Sequence, residues 1–95
     1  MTRPLLTEAD RADVFRGLAH PLRREILRLL RNKNRTVGEL LELLDGPITR
    51  PGLSQHLGIL RDSDLVRQQK QGPRRVYRLH RAGAQRAIKW LGHVS

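Results

Sequence analysis

Between residues 36 and 63 the chain carries two short amphipathic helices, each opened by a threonine and divided by a helix-stopping tripeptide. Thr36 and Glu39 stand at capping-box spacing, which satisfies two of the free amides at a helix start. Val37, Leu40, Leu41 and Leu44 then give that helix one apolar stripe, and Asp45-Gly46-Pro47 ends it. Thr49 caps the next helix, with Pro51 and Gly52 in its first turn and Leu53, Leu57 and Leu60 facing inward. Two helices joined by a short glycine-containing turn form a helix-turn-helix. Strand-type residues follow at once. A strand is expected over 65–70, a turn at Gln71-Gly72-Pro73 and a returning strand over 75–79. A basic hairpin directly after a helix-turn-helix, here about 65–80, reads as a wing.

The flanking segments complete a mainly α chain with one small β-hairpin, in the order α-α-α-α-β-β-α. The first helix is expected over 8–18, with Val14, Phe15 and Leu18 as its apolar side and Thr7 and Asp10 as a capping-box variant. Residues 1–6 read as a loosely held arm. Pro21 sits at an early helical position, where its missing N–H costs nothing, and starts a helix over 21–31. Leu22, Ile26, Leu29 and Leu30 face a core there, and Arg23, Arg24, Arg28 and Arg31 take the other side. The last helix, over 81–91, carries Ala84, Ala87, Ile88 and Leu91 on one side. With 95 residues, the chain has the size of a single domain, 1–95.

Charge restricts the partner. Lys and Arg number 19 against 9 Asp and Glu, and no acidic residue follows Asp64. Arg67, Lys70, Arg74, Arg75, Arg78, Arg81, Arg86 and Lys89 therefore stand uncompensated in the last third. Solubility alone asks for interspersed signs; a one-sign block attracts a polyanion. Arginine forks suit both phosphates and guanine edges.

The outward face of the second helix of the pair is polar and slim enough for a major groove. Arg50, Ser54 and Gln55 offer groups for base edges or phosphates, while Gly52 and Gly58 add no bulk. Taken alone, Ser54 and Gln55 would be ordinary solvated helix surface. Their place ahead of six successive cations from Arg67 to Arg81 favours DNA. The expected DNA-contacting set is Thr49, Arg50, Ser54, Gln55, His56, Arg61, Lys70, Arg74 and Arg75. His56 borders the buried stripe and is equally suited to packing or to donating to a phosphate.

These residues also resemble a family. L-A-H-P-L-R-R-E-I-L-R-L-L (18–30), T-V-G-E-L (36–40), L-S-Q-H-L-G-I-L-R-D-S-D-L-V (53–66) and G-P-R-R-V-Y-R-L (72–79) are similar to the ArsR/SmtB winged-helix repressors of bacteria and archaea, over about two-thirds of the chain. The resemblance implies a homodimer on a near-palindromic, inverted-repeat operator of double-stranded DNA, with the helix that Thr49 caps in the major groove. It also implies an interface from the first and last helices, here Val14, Phe15, Leu18, Ala84, Ala87, Ile88 and Leu91. Asp64 stands where the family usually has glycine, and asparagine or aspartate tolerates a left-handed turn better than most residues.

The metal-sensing members' cysteines have no counterpart, since the chain has none. His80 and His93 lie about 18–20 Å apart along one helix at 1.5 Å per residue, with no carboxylate beyond Asp64 to join them, so no metal and no cofactor is expected. Four scattered histidines without a spaced acid or nucleophile argue against an enzyme. The competing reading is an RNA- or ribosome-binding winged helix, weakened by having only Phe15, Tyr77 and Trp90 as stacking aromatics. With no signal peptide or membrane-spanning run, a cytoplasmic protein is expected. The sequence names no effector.

Overall fold

A computed structural model describes residues 8–94, with side chains described over 13–89. The expected arm and the Thr7 cap lie outside the described residues. The order is α1 (Glu8–Leu18), α2 (Pro21–Leu30), β1 (Arg35–Thr36), α3 (Val37–Leu43), α4 (Arg50–Asp62), β2 (Val66–Gln71), β3 (Arg74–Leu79) and α5 (Arg81–Val94).

The caps act where the residues put them. His20 is extended and its Nδ1 accepts from the Leu22 amide at 3.1 Å, with Pro21 starting α2. Thr36 and Glu39 close the full capping box, each side chain accepting from the other's backbone amide at 3.2 Å. The Thr36 backbone amide first, and then its hydroxyl at 3.1 Å, both donate to Glu39 Oε1 and hold the Glu39 carboxyl below its ordinary range. Thr49 Oγ1 accepts from Gly52 at 3.1 Å and opens α4. Gly46, at φ +96°, turns the chain between α3 and α4.

α4 ends in a Schellman motif. Asp64 takes φ +61°, its amide donates to the Arg61 carbonyl at 3.0 Å, and the Leu65 amide donates to Leu60 at 3.0 Å. The left-handed turn expected of Asp64 is thus present, and it redirects the chain from α4 into the hairpin.

The sheet holds one strand more than expected. The two residues of β1 pair antiparallel with β3, Arg35 opposite Tyr77 and Thr36 opposite Val76, giving the order β1-β3-β2. Thr36 is both the last residue of a strand and a helix cap, and two residues are too few to show an alternating pattern. In the hairpin, Val66 lies opposite Leu79 and Gln71 opposite Arg74, so the loop is Gly72-Pro73 with Gly72 at φ +60°.

One apolar core collects Ile26, Leu30, Leu40, Leu44, Leu53, Leu57, Leu60, Leu65, Val66 and Tyr77. It joins α2, α3, α4 and the sheet into one unit, so the base of the hairpin is fixed to the end of α4. Arg23 departs from its expected outward position and is buried. Its Nε donates to the Gly17 carbonyl at 3.2 Å and its Nη2 to Arg16 at 2.7 Å. The free carbonyls at the end of α1 need donors, and a guanidinium from α2 supplies them.

Candidate nucleic-acid interface

α4 turns Arg50, Ser54 and Gln55 to solvent because Leu53, Leu57 and Leu60 are fully buried on its other side. Thr49 is exposed too, with its hydroxyl engaged in capping. Arg50 also lines a cleft of about 610 Å³ together with the hairpin tip, Pro73, Arg74 and Arg75. The start of α4 and the tip of the wing therefore face one space. Glu39 and Glu42 of α3 line the same cleft.

The wing carries its charge in an arrangement that the fold alone does not favour. Lys70 lies directly opposite Arg75, and Arg67 opposite Arg78. Like charges facing across a ladder are destabilising, and a phosphate between them reverses that sign. Lys70, Arg74 and Arg75 are all exposed. Arg61 is exposed but tethered: its Nη1 donates to Gln68 Oε1 at 2.8 Å, and the Tyr77 hydroxyl donates to the same oxygen at 2.9 Å. This ties the last turn of α4 to β2 and β3.

His56 is half-buried and faces α2. Arg23 Nη1 lies 3.3 Å from its Nδ1, and its ring centre is 4.7 Å from that of His20. Arginine has no acceptor, so His56 accepts at Nδ1 and keeps its proton on Nε2. Burial, then the His20 and Arg23 charges, push its pKa below the ordinary histidine value. A depressed histidine favours the neutral form in the folded state. The unfolded chain therefore takes up the proton first, and stability, full above about pH 6.5, falls as pH drops below it. Thermal melts at pH 7.5 and 5.5 should show this loss, and His56→Gln should reduce the gap between them. An equal gap in the variant would remove His56 as its source.

Asp64 is a junction that composition had suggested only as the last acid of the chain. Its carboxylate bonds Arg86 of α5, and Oδ1 lies 3.5 Å from Arg67 Nη2 and 3.6 Å from His80 Nε2. The expectation that His80 has no carboxylate nearby is corrected here. Leu79 pairs with Val66, and the His80 amide donates to the Leu65 carbonyl at 2.9 Å, so the hairpin returns His80 to the residue it left behind. Arg67 Nη2 sits 3.2 Å from the His80 Nε2 and shares the carboxylate. Among the described residues no group of three or more His, Cys, Asp or Glu could hold a metal; the His93 side chain lies outside them.

Of the residues expected at a dimer interface, Val14 and Ala87 are buried against each other within the chain, with Leu18 beside them. Ala84 is half-buried against the main core. Phe15 and Ile88 are 47% and 66% exposed. The Leu91 side chain lies outside the described residues.

A polar-faced helix following a glycine turn, with a cationic hairpin beside it, defines a winged helix-turn-helix DNA-binding protein. Residues 18–69 match a helix-turn-helix domain family. The transcriptional repressor SdpR of Bacillus subtilis is 32% identical over 79 residues, 83% of this chain and 86% of that one. The uncharacterized regulator Rv0081 of Mycobacterium tuberculosis is 42% identical over 67 residues, 70% of this chain but only 58% of its own. The crystal structure of Rv0081 superposes with a TM-score of 0.70 at 35% identity, covering 98% of this chain and 94% of that one. An ArsR-like regulator from Rhodococcus sp. RHA1 superposes with a TM-score of 0.79 at 29% identity, over 90% and 79%. The chain belongs to the ArsR-type helix-turn-helix transcriptional regulators.

Proposed function

We propose that the chain represses transcription as a homodimer bound to an inverted-repeat operator, and that it is a cytoplasmic protein with no enzymatic role. The observation that carries this is the shared space between Arg50 and the wing tip Arg74 and Arg75. Ser54 and Gln55, exposed on the same helix, are the base readers. Arg50 bonds a base or a phosphate. Thr49, Arg61, Lys70, Arg74 and Arg75 contact the backbone of the duplex, and His56, turned toward α2, takes the packing role of its two expected ones. Repression is supported by what SdpR is named for, and no helix among the described residues is long and apolar enough to cross a membrane.

Exposed Phe15 on α1 and Ile88 on α5 support pairing through those helices. A twofold dimer would set two α4 helices in successive major grooves about 34–36 Å apart. Ile88→Glu is expected to shift sedimentation toward monomer and to weaken an inverted-repeat duplex much more than a half-site. A wild-type monomer at high micromolar concentration would refute the dimer. Labelled duplex DNA, duplex RNA and single strands, compared at one salt concentration, test the partner: tightest binding to duplex RNA would overturn the DNA reading.

A further inference from the structure

Three helices meet at one buried side chain. Arg23 of α2 spreads its fork over α1 and α4. Its Nε and Nη2 donate to the Gly17 and Arg16 carbonyls of α1 at 3.2 and 2.7 Å, and its Nη1 lies 3.3 Å from Nδ1 of His56 on α4. Among the described residues no carboxylate pairs with it. Burying a cation without a counter-ion is costly. The two carbonyls of α1 could be filled by a neutral donor or by water. The bond to α4 is what such a replacement would not supply.

α4 needs that bond for its orientation. Leu53, Leu57 and Leu60 hold it to the core, but apolar attraction is non-directional. Directional contacts pin it to other elements at two places: Arg61 donates to Gln68 of β2 at the last turn, and His56 accepts from Arg23 near the middle. The His20 ring, 4.7 Å from that of His56, adds packing from α2. His56 follows directly on Ser54 and Gln55, which face solvent. A side-chain tip stands roughly 5–6 Å from a helix axis, so a turn of α4 by about 15° carries it about 1.5 Å. The hydrogen-bond range spans only about 0.5 Å.

We propose that Arg23 is a positioning residue for DNA reading: through His56 it fixes the rotation of α4, and with it the placement of Ser54 and Gln55 against base edges. A rigid planar fork suits this task, because its donors stand in one fixed geometry. The assignment rests on the reading of α4 as the helix in the major groove, but not on which of its residues meets the bases.

The probe is the duplex that the wild-type chain recovers from a random-sequence pool, beside a scrambled duplex of equal length. The readout is the ratio of the two affinities, because a loss of folded protein lowers both alike and leaves the ratio unmoved. Arg23→Met and His56→Leu are each expected to lower that ratio about tenfold, the scale of one lost base-edge contact, with the salt slope of affinity unchanged. His56→Asn keeps an acceptor where Nδ1 stands and should retain most of the wild-type ratio. His56→Leu leaves the bonds from Arg23 to α1 in place, so it decides if Arg23→Met does not fold or alters subunit pairing. Three outcomes overturn the assignment: a wild-type ratio in His56→Leu, an equal fall in His56→Asn, or an equal loss on both duplexes with a shallower slope, which would make His56 a phosphate contact. Gln55→Ala, run alongside, separates this from the reading beneath it. An unchanged ratio there, with a fall in His56→Leu, supports the positioning role and overturns only Gln55 as the base reader.

Discussion

Gly83→Ala is expected to lower the melting temperature of the chain by about 12 °C or more. Gly83 lies in the first turn of α5, and a Cβ there would collide with the Asp64 carbonyl oxygen, with the Asp64 carbonyl carbon at 3.0 Å behind it. The obstruction is backbone, held in place by the Schellman turn and by the Leu65–His80 bond, so neither partner can rotate away. Overpacking costs about 1–3 kcal/mol and more where nothing yields. Alanine returns up to about 1 kcal/mol of helix propensity, which does not offset a backbone collision. Taking about 3 kcal/mol as the net loss, at roughly 4–8 °C per kcal/mol for a domain of this size, gives the stated shift. Two other glycines calibrate it. At Gly17 an added Cβ meets the Leu65 and Ser63 side chains at 2.9 Å, and side chains can give, so that variant should lose less. At Gly58 it meets nothing within 4 Å, so Gly58→Ala should melt no lower than the wild type. Melting followed by circular dichroism ranks the three. A Gly83→Ala protein that melts with the wild type would mean that α5 does not start against Asp64.

Much of this architecture can be read from the residues because it is written locally. Thr36 with Glu39, Thr49 with Pro51, and Gly72-Pro73 each specify a cap or a turn within four residues, and each is where the sequence puts it. The left-handed Asp64 also follows from one position in a motif. What the sequence does not carry is the outcome of elements meeting. Arg23 is buried because the end of α1 comes to rest over it with carbonyls unfilled. β1 exists because the central strand of the sheet has a free edge beside Arg35 and Thr36. His80 reaches Asp64 because the hairpin register brings them together across a gap of sixteen residues. The candidate interface divides in the same way. Exposure of Arg50, Ser54 and Gln55 follows from the leucine spacing of α4, whereas the turning of His56 toward His20 and Arg23 depends on how α2 crosses α4.

The replacement of Arg74 and Arg75 by alanine together should separate DNA binding from folding by the sign of the two effects. Both side chains are exposed, and Arg75 faces Lys70 across the ladder. Removing them relieves a like-charge pair, so the free variant should melt at or slightly above the wild-type temperature. DNA affinity should move the other way. If each arginine neutralises one phosphate, the log–log slope of affinity against salt becomes shallower by about 0.9 per residue, roughly 1.8 for the pair. The loss should be the same for operator and for unrelated duplex, because a phosphate carries no sequence. Gln55→Ala should show the complementary pattern, a slope unchanged and a preference for the operator reduced by about 1–3 kcal/mol, since a base-edge contact discriminates without releasing counterions. Titrations of both variants with operator and with scrambled duplex at several salt concentrations measure slope and preference together. A double-arginine variant that keeps the wild-type slope would take the wing off the DNA backbone. A Gln55→Ala variant with full operator preference would move base reading to another face of α4.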